Sequence, residues 1–146
     1  MDEVAHARLD FLARKSQAGL VPDWGERFAA DKAEGTVLVL FIPSVDREEQ
    51  PIDQERWESE ALTVLGNLFR GATAFPQGRG VWRDDERGGR LVFDAPVVIQ
   101  CYTSVEAIDE HAENLRAFLL RMGGETRQGA VGFVIDRTYL EIRFPE

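Results

Sequence analysis

Six consecutive residues, Val37 to Ile42, are all apolar, and with Thr36 they form a run of β-branched and aliphatic residues. The run is far shorter than the roughly 18 residues needed to cross a bilayer and has the length of a strand. Side chains alternate along a strand, so Val37, Val39 and Phe41 face one way and Leu38, Leu40 and Ile42 the other. Both sets require cover, which places this strand in the middle of a sheet.

The segments around it set the architecture. Residues 2–18 read as a helix stopped by Gly19, followed by a short segment opened by Pro22-Asp23, with Trp24 and Phe28 one turn apart and Gly35 at its end. After the acidic loop Pro43 to Pro51, residues 53–70 form an amphipathic helix. It carries Trp57, Ala61, Leu65, Leu68 and Phe69 on one face and ends at Gly71. A strand is expected from Val81 to about Asp84, a turn at 85–89 with Gly88-Gly89 supplying positive φ, and a strand from Arg90 to Tyr102 interrupted at Pro96. Thr103 to Glu106 reads as a capping box. The helix it opens spaces Val105, Ile108, Ala112, Leu115, Leu119 and Met122 by three and four, and Gly123-Gly124 is expected to end it. Strands follow at Ala130–Asp136 and Tyr139–Phe144, with a tight turn at Asp136-Arg137.

From residue 36 the order is strand, helix, strand, strand, helix, strand, with one strand more. The expected fold is therefore α+β: a ferredoxin-like βαββαβ plait over 36–146 with an N-terminal helical extension over 1–35 and an extra C-terminal strand. Two helices cover one face of such a sheet. The other face needs a second subunit, the N-terminal helix or a ligand, and a sheet-to-sheet homodimer is the first expectation.

Composition excludes several functions. The 146 residues are 44% apolar and 29% charged, values of a folded domain rather than a disordered chain. The acidic start Met1-Asp2-Glu3 is unlike a secretory signal, and a single cysteine, Cys101, cannot form an internal disulfide. A cytoplasmic location is expected, with no membrane partner. The net charge of −9 opposes nucleic-acid binding. Residues 1–60 carry 14 acids against 7 bases, so this part is either a solvated face or a dock for a basic protein partner, formed by Asp46-Arg47-Glu48-Glu49 and the start of the helix at 53–60.

Candidate chemistry centres on Phe75-Pro76-Gln77-Gly78-Arg79-Gly80-Val81-Trp82-Arg83. Two glycines admit close approach of a ligand, Arg79 and Arg83 suit a carboxylate or phosphate, and Trp82 offers a stacking wall. The plainer reading is a loop entering a hairpin. Gly78-Arg79-Gly80 opens no helix, so it is not a dinucleotide fingerprint. Tyr102 and Gln100 share the side of their strand opposite Cys101, and Gln128, with Glu125 and Arg127, lies in a polar loop that can converge with Arg79. His111 has acids around it but no second histidine at helical spacing, and His6 lies in the N-terminal helix, so no metal site and no cofactor is expected. Cys101 lacks a histidine partner for catalysis. The candidate ligand-binding set is Arg79, Trp82, Arg83, Tyr102 and Gln128, with no catalytic residue assigned.

The succession of apolar strand, helix, Phe-Pro-x-Gly-x-Gly-x-Trp loop (residues 75–82), hairpin, helix and strand resembles small bacterial ferredoxin-like proteins of unknown function, over about residues 36–136. The resemblance implies a fold and transfers no catalytic residue. In element order the chain is also similar to dimeric α+β-barrel domains, which include small isomerases, monooxygenases and ligand sensors; that is analogy of fold. An RNA-recognition module of the same topology would place aromatics on the first and third strands in a basic context, and neither strand does so. Three functions follow as expectations: a non-catalytic homodimeric accessory or ligand-binding domain, a small cofactor-free enzyme with Arg79, Trp82, Tyr102, His111 and Gln128 around a cleft, or an acidic adaptor.

Overall fold

The computed structural model describes residues 22–145. The chain divides after Ala33 into two compact units, and each is described by itself. The helix expected over residues 2–18, with His6, lies outside the described residues. In the first unit, Asp23 caps the short helix α1 (Trp24–Phe28) by accepting from the Glu26 N–H at 3.0 Å. The Trp24 and Phe28 rings lie 6.1 Å apart.

The second unit is α+β. Its strands β1 (Thr36–Ile42), β2 (Thr73–Ala74), β5 (Val97–Thr103), β6 (Ala130–Ile135) and β7 (Thr138–Arg143) form one sheet. The order across it is β2-β5-β1-β6-β7, every neighbouring pair antiparallel. Helix α2 (Gln54–Phe69) connects β1 to β2; α3 (Val105–Glu110) and α4 (Ala112–Glu125) connect β5 to β6. The strands β3 (Gly80–Asp84) and β4 (Arg90–Asp94) pair only with each other.

One face of the sheet carries the core. Leu38, Leu40 and Ile42 of β1 and Val97, Ile99 and Cys101 of β5 are buried with Trp57, Ala61, Leu65 and Phe69 of α2 and Leu115, Phe118, Leu119 and Met122 of α4. Each large apolar side chain taken fully out of water contributes about 1.5–3 kcal/mol. The opposite face presents Val37, Val39 and Phe41 of β1 beside Val98, Gln100 and Tyr102 of β5, aligned by the register Val37↔Tyr102, Val39↔Gln100 and Phe41↔Val98. The valines and Phe41 are half-buried, while Tyr102 is 63% exposed.

Six expectations are corrected. Val81–Asp84 does not join the main sheet, because the strand beside β5 is the two-residue β2; Phe75 N–H then donates to Val98 O at 2.8 Å before the chain leaves for the hairpin. The long strand expected from Arg90 to Tyr102 is two strands. Pro96 has no N–H for a ladder, and the Ala95 N–H turns to Ser44 Oγ (3.0 Å) and Asp94 Oδ1 (2.8 Å). The cap of the following helix is Ser104, whose hydroxyl accepts from the Ala107 N–H at 3.1 Å, while Thr103 ends β5 as a buried residue. That helix breaks at His111, and its second part continues through Gly123-Gly124 to Glu125. Arg70, at φ 76°, closes α2 in place of Gly71.

Candidate functional site

At the end of β1, the loop between β1 and α2 is latched to the turn between α4 and β6. The Asp46 carboxylate, buried, accepts from the N–H groups of Glu48 (2.8 Å) and Gln50 (3.0 Å) and pairs with Arg127 at 2.6 Å. The Gln50 amide, followed by the Glu48 amide and Arg127, holds the Asp46 carboxyl below its usual range against the opposing effect of burial. Arg47 donates to the carbonyls of Gln128 (3.1 Å) and Phe144 (2.9 Å), and the Gln128 side chain donates to those of Val45 (2.8 Å) and Thr126 (3.2 Å). Gln128 thus ties two loops together through its side-chain amide.

A shallow, open groove of about 490 Å³ lies between the first turns of α2 and the chain that follows β2. It is lined by Gln54, Glu55 and Glu58 from α2, by Ala74, Phe75, Pro76 and Gln77, and by Val97. Its amides are fixed. Gln54 donates to the carbonyls of Ile42 (3.0 Å) and Ala95 (2.9 Å), and its own side-chain oxygen accepts from Gln77 Nε2. Glu55 and Glu58, three apart on a helix, present carboxylates on neighbouring positions. Apolar walls, an oriented amide pair and two carboxylates can hold a small cation with an apolar body.

A second hollow, of about 280 Å³, lies along Ser59, Glu60, Thr63, Val64 and Arg121. Its charges are engaged with one another: Glu60 pairs with Arg121 (2.8 Å) and Arg56 (3.3 Å), and Arg121 foremost keeps the Glu60 carboxyl below its usual range. Both guanidinium groups lie over the Trp57 ring, at 4.6 and 5.2 Å.

The residues singled out in the sequence are spread over several elements. Arg79 is exposed before β3. Trp82 and Arg83 point to opposite faces of the hairpin, and Arg83 Nε lies 2.5 Å from Asp85. Tyr102 lies on the sheet face opposite the core, its hydroxyl 3.4 Å from Gln100 Nε2. His111 is half-buried at the helix break, with its ring edge-on to Phe69 at 5.8 Å. Among the described residues no hydrogen bond or ion pair joins any two of Arg79, Trp82, Arg83, Tyr102, His111 and Gln128. Burial, with a smaller effect of Glu34, pushes the Cys101 thiol up. No group of three or more His, Cys, Asp and Glu able to hold a metal occurs among the described residues.

The distinctive loop does reach a groove, but through Phe75, Pro76 and Gln77 rather than Arg79 and Trp82. Gln54, Glu55 and Glu58 were not legible as site residues. They lie off the apolar face of α2, as solvated side chains do, and the position of the 75–77 segment makes them a wall.

No protein-family model matches this chain, and no curated protein matches it. Among solved structures it is similar to a phage SAM lyase in complex with S-methyl-5'-thioadenosine. The TM-score is 0.60 at 16% identity, with 77% of this chain and 92% of the other covered. The apo state of a phage SAM lyase gives 0.55 at 16% identity, covering 76% and 90%. At this identity the likeness is one of fold. No helix among the described residues is long and apolar enough to cross a membrane.

Proposed function

We propose that this chain is a small enzyme that takes a nucleoside thioether or sulfonium ligand in the groove at the start of α2. The observation that carries the reading is the open groove that Glu55 and Glu58 line together with the hydrogen-bonded Gln54–Gln77 amide pair. SAM is a sulfonium cation with an ammonium group, and paired carboxylates at the rim of a groove favour such a ligand over an anion. The fold shared with a lyase bound to S-methyl-5'-thioadenosine supports the same ligand class. We read the sheet order β2-β5-β1-β6, with its helices on one face, as a ferredoxin-like plait into which the β3–β4 hairpin is inserted and to which β7 is added.

Titration calorimetry with SAM and with S-methyl-5'-thioadenosine tests the reading, followed by chromatographic assay of SAM consumption. Glu58→Gln is expected to weaken SAM binding about tenfold, by the loss of roughly 1.4 kcal/mol of charge attraction, and to change binding of the uncharged thioether little. Absence of binding by both compounds at millimolar concentration would overturn the ligand class, and binding without turnover would leave a ligand-binding protein.

A second reading, a homodimeric domain, is favoured by the number of large apolar side chains left open: Val81, Trp82, Leu91 and Phe93 on the hairpin and Tyr102 and Tyr139 on the sheet. The adaptor reading has less support. Glu48 and Glu49, which would dock a basic partner, are paired within the chain to Arg87 (3.1 Å) and Arg90 (2.8 Å).

A further inference from the structure

The β3–β4 hairpin presents its apolar face outward. Its register pairs Val81 with Phe93 and Arg83 with Leu91, which places Val81, Leu91 and Phe93 on one face; they are 54%, 59% and 63% exposed. Val92, on the other face, is 4% exposed. Trp82, paired with Val92 on that face, is 50% exposed, so the side of Val92 is covered in part and the side of Val81, Leu91 and Phe93 is not.

The arm is held at both ends. At its root the Asp94 carboxylate accepts from Ser44 N–H (3.0 Å), from the Ser44 hydroxyl and from Ala95 N–H (2.8 Å), and Gly78 N–H donates to Pro96 O at 2.8 Å. Near its tip Arg87 reaches Glu48 (3.1 Å) and the Arg47 carbonyl (3.4 Å), and Arg90 reaches Glu49 (2.8 Å). A surface fixed in this way loses little conformational entropy when it binds.

Charge and area indicate the occupant. Residues 79–94 carry four arginines and four acids, so the whole net charge of −9 resides elsewhere on the chain. A second copy is repelled by most of the molecule but meets no net charge at the hairpin. Val81, Leu91 and Phe93 leave on the order of 350 Å² of apolar surface open. With the usual polar share of an interface, two such faces bury roughly 1,100 Å² in total, just above the level of a specific contact.

We propose that two copies of this chain associate through the outer faces of their β3–β4 hairpins, with Val81, Leu91 and Phe93 of one against the same residues of the other about a two-fold axis. The inference rests on the homodimer reading and moves its contact from the sheet face opposite the core to the hairpin.

Sedimentation velocity of the full chain between 1 and 100 μM tests it, at 50 and 500 mM NaCl. The expected result is a shift from 16.5 kDa to twice that mass, with a dissociation constant on the order of 10 μM and tighter association at high salt, where repulsion is screened. Leu91→Glu and, separately, Phe93→Ser are expected to weaken association at least tenfold with circular dichroism unchanged, since both positions are exposed. Tyr102→Glu, on the sheet face opposite the core, is expected to leave it unaltered. A dimer broken by Tyr102→Glu but not by the hairpin variants would overturn the hairpin contact and keep the homodimer. A monomer at every concentration would overturn both and leave the hairpin to a different partner.

Discussion

At the scale of single residues, Gly123 is instructive because its role lies 21 positions away. A Cβ on this residue of α4 would run into the Phe144 ring and come within 2.9 Å of Val131 Cγ2. The helix needs no glycine for its own sake, since alanine would favour it by about 1 kcal/mol. Helix and sheet need the close approach, and overpacking costs about 1–3 kcal/mol. Gly123→Ala is therefore expected to lower the melting temperature by about 3–8 °C, measured by calorimetry, and the loss should shrink or reverse in a Phe144→Ala background. From sequence, Gly123-Gly124 reads as a stop, because the partner that explains it is on another element. Gly88 and Gly89 are different: their positive φ values of 76° and 74° serve a local turn, and the paired glycines reveal it.

Elements show the same division. Periodicity identified β1, α2 and the apolar stripe of α4, since their apolar positions repeat at the period of the structure they form. It did not separate β4 from β5, because the apolar pattern continues across Pro96 and the break depends on where Ala95 and Asp94 find partners. Nor did it identify β2, whose Thr73 and Ala74 carry no strand signal and are recruited by Gln100 and Ile99 of β5. Asp94 is the joint between hairpin and body, and removing its carboxylate strands the Ser44 and Ala95 amides at a cost of about 1–3 kcal/mol. Asp94→Ala is accordingly expected to raise hydrogen–deuterium exchange across residues 80–94 while β1 and β5 stay protected. Uniform loss of protection would show that the hairpin has no independent joint.

For the molecule as a whole, Asp46 links loop, turn and pH. Its folded carboxyl titrates below the ordinary aspartate value of 3.8, so its contribution is fully present above that value and is lost as pH falls through the lower folded value. Asp46→Asn should therefore reduce stability at pH 7, with the deficit narrowing below about pH 3.8 as the wild type loses the same interaction. Urea midpoints from pH 2 to 7 measure this, and a deficit that stays constant down to pH 2 would mean that the Asp46 charge is not what the latch uses.

The sequence by itself determined that residues 36–146 contain an α+β domain, that β1 lies inside the sheet, and that one helical face per connection is apolar, because these depend on local period and on the need to bury both sides of Val37 to Ile42. Tertiary structure alone decided which strand flanks β5, that the hairpin stands apart with an uncovered apolar face, and that Gln54, Glu55 and Glu58 meet Phe75 to Gln77 around a groove. Those outcomes turn on contacts between residues 23 to 50 positions apart. No local propensity records them, since the free energy that selects them appears only when the chain has closed on itself.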